Sequence, residues 1–351
     1  MNEYFLTKQQ CLTIRAFAIL GIILHNYTHW LPGIVKENEF TYSFAKNIQL
    51  WNAIKGHDET LFLHLLSYFG HYGVVLFLFL SGFGLVMKYE KNNLPIINIL
   101  NFIRYNYLKL FRIFIVGFTA FIIVDTMTSR THQYTLHHVI ALFGMFANVL
   151  QEPSRIIWPG PYWYFGITLQ LYIIYHLFMY RNHHWFLPLF LILICLFWQT
   201  YYKSNNEVLE YLRYNFVGGL LPFCIGVLLG RHIKNIQFNQ FVWFVIFLLS
   251  SVMIVLLCFN FIGWLFIPVF VVFGMISLVK VLSEQTMKYM SWLGGLSATL
   301  FVMHPLVRKI LIYQYNTFNM YSGLLLYVVI CISLSYFVQK IIIEKIPTPK
   351  L

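Results

Sequence analysis

The chain has 351 residues, of which 59% are hydrophobic and only 10% are charged, and its formal net charge is +12. A soluble domain carries about 25% charged residues, because its surface must be hydrated. So little charge excludes a soluble protein of this length and indicates a chain solvated by lipid. The cations are scattered over short loops rather than gathered in one domain, which argues against nucleic acid as a partner.

Apolar segments long enough to cross a bilayer recur along the whole chain. A span needs about 20 predominantly apolar residues to cross about 30 Å of hydrocarbon. The pattern predicts an all-α, polytopic membrane bundle of about ten transmembrane helices, at 12–30, 64–87, 110–126, 163–180, 185–202, 214–230, 241–260, 263–282, 293–313 and 321–340. The shorter apolar segment 136–150 is expected to be interfacial or re-entrant. Residues 1–351 are thus predicted to form a single transmembrane domain with no appended soluble domain.

The basic residues indicate which side of the membrane each loop faces. With the N-terminus inside, 15 of the 24 Lys and Arg residues fall on the inner side. Eight of the twelve acidic residues fall on the outer side, so nearly the whole basic excess lies inside. Because cytoplasmic loops are enriched in Lys and Arg, we predict cytoplasmic N- and C-termini.

The first predicted span carries two candidate functional residues. Arg15 lies near the inner surface, and His25 lies ten residues further along, about 15 Å outward at about 1.5 Å per residue. A neutral imidazole takes a proton from an attacking hydroxyl near neutral pH, and a guanidinium holds phosphate bidentately. The alternatives are snorkelling for Arg15 and a packed, hydrogen-bonded role for His25.

Three further groups of residues are candidates. Arg104, Lys109 and Arg112 gather positive charge near the inner surface, either for an anionic ligand or as membrane anchors. Ser81, with its neighbouring glycines, lets a helix or a ligand approach closely. His304 belongs to a His-Pro step in mid-span, where we expect a kinked, cavity-lining helix. The five cysteines show no CxxC spacing, so no metal site is predicted.

Taken together, these features resemble the membrane-bound acyltransferase 3 family, whose members move acyl groups, usually acetyl, onto cell-envelope carbohydrates. The resemblance spans nearly the whole chain and consists of six short motifs in the family's order: Arg15 to His25, Phe77 to Phe83, Phe102 to Ile113, Trp163 to Tyr172, Phe223 to Gly230 and Leu293 to His304. The chain has nine residues between Arg15 and His25, where the family commonly has ten. On an ideal helix this turns His25 about 80° away from Arg15 and places Asn26 nearly beneath it.

The resemblance implies an enzyme that transfers an acetyl or other acyl group from cytoplasmic acyl-CoA to a hydroxyl of a carbohydrate or lipid-linked glycan. It implies catalytic roles for His25, as general base, and His304. The acetyl-CoA phosphates are expected at Arg15, Arg104, Lys109 and Arg112, and the acceptor at Trp163, Gln170, Tyr172, Asn26 and Ser81. The expected surroundings are membrane lipid, in a bacterial cytoplasmic membrane.

Two other functions remain open from the residues alone. A transporter or flippase of a lipid-linked saccharide also fits ten helices, a His-Pro step and aromatic outer loops. The near absence of Asp and Glu from the predicted spans argues against proton-coupled transport, whose relays commonly use them. A sensor or assembly subunit without activity is the third alternative. Release of free CoA thiol from acetyl-CoA distinguishes an acyltransferase from a flippase.

Overall fold

The computed structural model describes residues 4–92, 95–128, 131–234, 236, 238–312 and 319–350. In these ranges the chain is helical, and its β-structure is limited to one bridge between Tyr4 and Lys234. The α-helices in chain order are α1 (Lys8–Thr28), α2 (Phe44–Lys55), α3 (Leu61–Phe69), α4 (Gly73–Tyr89), α5 (Ile99–Met127), α6 (Leu136–Phe143), α7 (Pro153–Ile156), α8 (Trp163–Ile174), α9 (Phe186–Tyr201), α10 (Asn206–Tyr214), α11 (Phe216–His232), α12 (Gln240–Leu257), α13 (Phe261–Val281), α14 (Glu284–Gly295), α15 (Ser297–Leu311) and α16 (Met320–Ile341).

Several of these helices are long and apolar enough to cross a membrane. Within the described ranges, six segments meet the requirement by themselves: Lys8–Thr28, Leu61–Tyr89, Ile99–Met127, Gln240–Leu257, Phe261–Val281 and Met320–Lys345. Two bent pairs, α10 with α11 and α14 with α15, raise the number to eight, and α9 is a shorter apolar helix. The protein is therefore an all-α, polytopic membrane bundle. The larger number of ten spans and the cytoplasmic termini stay predictions.

Two details of the bundle bear on the sequence-based predictions. The segment 136–150 contains the eight-residue helix α6 and a 3₁₀ turn at Ala147–Val149, each too short to span a membrane, and its interfacial or re-entrant position stays a prediction. The kink at the His-Pro step stays a prediction: Pro305 lies inside α15, and a bend of 62° separates α15 from α14. At the end of α14 the chain packs closely on α1, where a Cβ on Gly294 would lie 1.8 Å from the Leu12 carbonyl oxygen.

Helix α1 is the central element, since it contacts α3, α4, α13, α14, α15 and α16. It begins with a capping box, in which the Thr7 side chain accepts from the Gln10 backbone and the Gln10 side chain accepts from the Thr7 backbone. This arrangement satisfies backbone N–H groups that a helix start leaves unpaired. Helix α4 packs closely on α11, where a Cβ on Gly82 would lie 2.1 Å from the Phe223 carbonyl oxygen. Gly82 therefore serves helix packing.

Candidate functional site

Two cavities open beside α1, one near each end of the helix. We name them by the predicted topology: the inner cavity at the Arg15 end has a volume of about 570 Å³. The outer cavity at the His25 end has a volume of about 270 Å³. Arg15 and His25, the two candidate functional residues of the first predicted span, thus line different cavities, and α1 forms part of the wall of both.

The inner cavity is strongly basic. Its lining includes four cationic side chains, Lys8, Arg15, Lys88 and Lys109, and no acidic residue belongs to the part of its wall that the structure describes. Like charges repel when no anion balances them, so this arrangement favours a bound anion. Phosphate groups suit such a site because hydrogen bonds between charged partners are short and strong.

The predicted phosphate-binding residues divide into two sets. Arg15 and Lys109 line the inner cavity, whereas Arg104 is outside its described lining and Arg112 donates a hydrogen bond to the backbone carbonyl of Ile343. Arg104, Lys109 and Arg112 all lie on α5, which begins at Ile99. Their spacing along this helix makes them face different directions. The structure therefore brings two of the four predicted cations together and adds Lys8 and Lys88.

Ser81 and Tyr172, which we expected to contact the acceptor, line the inner cavity beside the cations. The position of Tyr172 follows from helix geometry. Tyr172 lies nine residues after Trp163 on α8. This spacing places it about 13 Å further along the helix axis at about 1.5 Å per residue. Trp163 itself lines the outer cavity.

The outer cavity combines aromatic rings with polar groups. Its aromatic lining residues are Trp30, Phe40, Trp158, Trp163, Tyr214 and Phe301, and its polar lining includes His25, Asn26, His29, Glu39, His71 and Arg308. Aromatic faces with a few placed polar groups are typical of sites that fix the orientation of a small ligand.

His25 is held in one tautomer at the wall of this cavity. Its Nδ1 lies 2.8 Å from the backbone carbonyl oxygen of Ser67. A carbonyl oxygen only accepts, so in the neutral ring Nδ1 carries the proton and Nε2 keeps its lone pair. Nε2 has no hydrogen-bond partner within the described ranges, and the residue lines the outer cavity. The ring is thus oriented as a proton acceptor.

Asn26 and Arg308 meet at the outer cavity. Nη1 of Arg308 donates to Oδ1 of Asn26 at 2.9 Å, and the guanidinium lies 4.9 Å from the centre of the Trp30 ring. Arg308 lies one turn after His304 on α15. No role in the site was predicted for Arg308 from the sequence, and its spacing from His304 is the signal that could have identified it.

Two predicted site residues lie away from the cavity walls. His304 is fully buried, with Nδ1 3.2 Å from the Leu300 carbonyl oxygen, and it does not belong to the described lining of either cavity. Gln170 bridges the break between α10 and α11: it donates to Asn215 and accepts from the backbone of Phe216. Both positions are consistent with support of the bundle.

Three outer-cavity residues had no role in the sequence-based prediction. His29 and His71 flank His25, with ring centroids 5.0 Å and 5.5 Å from its own. Glu39 belongs to the loop between α1 and α2, where burial raises the pKa of its carboxyl to about 7. Among the described residues no group of three or more His, Cys, Asp or Glu is arranged to hold a metal ion. His29 follows His25 by four residues, a helical spacing that could have identified it, whereas Glu39 and His71 are distant in sequence and gave no such pattern.

A row of three aromatic rings lies between the two cavities. Phe77 lines the inner cavity and Phe301 lines the outer one. Tyr164 contacts both, with ring centroids 6.1 Å from Phe77 and 5.2 Å from Phe301. We call these residues the aromatic row.

The fold and its two cavities define a helical membrane protein that presents a basic pocket on one side and a histidine-containing pocket on the other. Comparison with known families assigns the chain further. A family model described as an acyltransferase domain, the acyltransferase 3 family, matches residues 13–339. The chain belongs to this family, and it is a membrane acyltransferase. No curated protein and no solved structure shows a significant match.

Proposed function

We propose that the protein transfers an acetyl group from cytoplasmic acetyl-CoA to a hydroxyl of a carbohydrate or lipid-linked glycan, with His25 as general base. The observation that carries this proposal is the Nδ1 to Ser67 hydrogen bond, which leaves Nε2 as a lone-pair nitrogen in a protein of an acyltransferase family. Family membership favours this function over the transporter interpretation.

The donor is assigned to the inner cavity. CoA carries several phosphate charges, and Lys8, Arg15, Lys88 and Lys109 supply cations without a neighbouring acid among the described lining residues. Arg15 and His25 lie on one continuous helix, about 15 Å apart along its axis. The extended pantetheine arm is long enough to cover this distance, so phosphates at Arg15 are compatible with a thioester near His25.

The acceptor is assigned to the outer cavity. Trp163 and the other aromatic rings offer apolar faces on which a sugar ring stacks, while Glu39 and Arg308 offer hydrogen bonds to hydroxyl groups. Asn26, which is held by Arg308, orients that side of the wall. Of the predicted acceptor residues, Trp163 and Asn26 are therefore retained in this role.

The reaction requires one base and no net change of protons. Nε2 of His25 takes the proton from the acceptor hydroxyl as its oxygen attacks the thioester carbonyl carbon. The tetrahedral intermediate collapses, the C–S bond breaks and the CoA sulfur leaves. The imidazolium returns the proton to that sulfur, which gives the O-acetyl ester and free CoA.

Purified protein in lipid nanodiscs tests this proposal. Radiolabelled acetyl-CoA is supplied with membrane lipid extract or with soluble oligosaccharides, and both free CoA thiol and labelled product are measured. Wild-type protein is expected to release thiol and label the acceptor, and His25→Ala to lose about 100-fold or more of this rate. The matched control is His184→Ala, which removes an exposed imidazole. Normal turnover in His25→Ala would reject His25 as the base.

A further inference from the structure

His71 lies beside His25 because a short turn packs tightly on α1. It belongs to the 3₁₀ segment Gly70–Tyr72 between α3 and α4. At the end of this turn a Cβ on Gly73 would lie 2.2 Å from the Ala18 carbonyl oxygen, so the two backbones are in contact. The ring centroids of His71 and His25 are 5.5 Å apart. With hydrogen bonds of about 2.9 Å, neighbouring oxygen atoms of one small group can contact both rings.

The imidazole of His71 lacks a hydrogen-bond partner among the described residues. The residue is 2% exposed, and neither ring nitrogen has a hydrogen-bond partner among the described residues. Every protonation state of imidazole carries at least one N–H donor, and a buried donor without a partner costs free energy. His71 lines the outer cavity and a second cavity of about 30 Å³ beside Tyr72 and Arg213. A ligand in the outer cavity supplies the missing partner.

The position of His71 along α1 indicates which part of a ligand it meets. Gly70, one residue before His71, packs against Gly21 and His25, whereas Gly73, two residues after it, packs against Ala18, about two turns before His25 toward the inner end. His29 lies one turn beyond His25 toward the outer end. In the proposed reaction the thioester arrives from the inner cavity and the hydroxyl from the outer side. The turn that carries His71 therefore runs from the level of His25 toward the donor side, whereas His29 lies on the acceptor side.

We propose that His71 is a second catalytic histidine, which donates an N–H hydrogen bond to the thioester carbonyl oxygen as it becomes an oxyanion. This assignment rests on the proposed function. When the hydroxyl oxygen attacks, the carbonyl π electrons move onto the oxygen, and His71 stabilises that charge without giving up its proton. The carbonyl then re-forms as the C–S bond breaks. A donor fixed before the reaction is effective because little reorganisation is needed.

The test compares His71→Leu, which removes the donor, with His71→Asn, which keeps a side-chain N–H. His71→Leu is expected to lower kcat about 100-fold with the KM for acetyl-CoA nearly unchanged. His71→Asn is expected to retain about tenfold more activity than His71→Leu, because its amide replaces one donor. Since His71 makes no hydrogen bond to the described residues, His71→Leu is expected to unfold at or above the wild-type temperature in detergent.

Each contrary result has a distinct meaning. Wild-type kcat in His71→Leu overturns the assignment, as does a rise confined to the acceptor KM, which places His71 on the acceptor side. A lower unfolding temperature with equal losses in both variants also overturns it, since this pattern indicates a structural role. If wild-type protein and His184→Ala release no CoA thiol, the proposed function fails and this assignment with it. If wild-type protein and His184→Ala release CoA thiol and His71→Leu releases it at the same rate, only the assignment of His71 fails.

Discussion

Nδ1 of His25 donates a hydrogen bond to the backbone carbonyl oxygen of Ser67, 2.8 Å away, and this contact joins α1 to the end of α3. Three residues later, Gly70 packs on α1 so closely that an added Cβ would lie 2.7 Å from the Cβ of His25 and 2.5 Å from the Gly21 carbonyl oxygen. The orientation of the imidazole therefore depends on a glycine at position 70.

Gly70→Ala is expected to displace this turn and the His25 ring with it. Overpacking of a close contact costs about 1–3 kcal/mol, and a displacement of about 1 Å at a reacting group costs up to about 100-fold in rate. Thermal unfolding in detergent and acetyl transfer from labelled acetyl-CoA measure the two effects. Gly295→Ala is the matched control, because no atom lies within 4 Å of its added Cβ. Equal unfolding temperature and equal rate in the two variants would contradict the expectation.

The inner cavity predicts different effects for two arginines that the sequence treats alike. Both side chains are exposed, but Arg15 lines the cavity and Arg104 is outside its described lining. Arg15→Gln is expected to raise the KM for acetyl-CoA about tenfold or more, because a hydrogen bond to a charged group contributes about 1.5–3 kcal/mol. Arg104→Gln is expected to leave it unchanged. The difference should shrink at high salt, where exposed charges are screened.

Initial rates over a range of acetyl-CoA concentrations, at low and at high salt, provide this measurement. Similar KM values for the two variants would remove the inner cavity as the donor site. A loss of kcat in Arg15→Gln with unchanged KM would instead place Arg15 near the reacting atoms.

The sequence was sufficient for the features that depend on local patterns. Apolar length predicted the helical bundle, and the short motifs predicted the family and the opposite positions of Arg15 and His25 along one helix. What it missed depends on backbone contacts between distant segments. His71 reaches the outer cavity because Gly70 and Gly73 permit contact with α1, and no periodicity in the sequence predicts that contact. Likewise, Arg104 and Lys109 are both cationic residues of α5. Only the direction that each faces on this helix determines which of them lines the inner cavity.

Glu37 gives the protein a pH-dependent stability. The residue is 2% exposed, and burial raises the pKa of its carboxyl from 4.5 to about 7, although Nζ of Lys46 lies 3.5 Å away. The folded state then binds this proton more tightly than the unfolded state does. The free energy of unfolding therefore falls as pH rises from about 4.5 to about 7 and levels off above that range.

Unfolding temperatures measured across this pH range test the contribution of Glu37. The wild-type temperature is expected to fall with rising pH, and Glu37→Gln to show a smaller fall, because its amide does not titrate. Some slope remains, since burial also raises the pKa of Glu39 to about 7. Glu59→Gln, which changes an exposed carboxyl, is the control and should follow the wild type. An unchanged slope in Glu37→Gln would show that folding does not raise the pKa of this carboxyl.

The aromatic row predicts a preference for short acyl groups. Phe77 lines the inner cavity, Phe301 lines the outer cavity and Tyr164 contacts both, so we expect an acyl group on its way from the inner cavity to His25 to pass these rings. An acetyl group needs little space there, whereas a longer chain requires the rings to separate. Replacement of the central ring by a smaller side chain is therefore expected to relax the selection by length.

Tyr164→Leu tests this prediction through the ratio of kcat/KM for acetyl-CoA to that for hexanoyl-CoA. We expect the ratio to fall about tenfold, because differences of a few methylene groups in an apolar passage are worth about 1–3 kcal/mol. The control is Phe241→Leu, which shortens an aromatic side chain that is 72% exposed on α12. A ratio that stays at the wild-type value while Tyr164→Leu remains folded and active would mean that the acyl group reaches His25 by a path that avoids Tyr164. In that case the selection by length belongs to the walls of the inner cavity, where Tyr172 and Leu80 offer the next rings and methyl groups to replace.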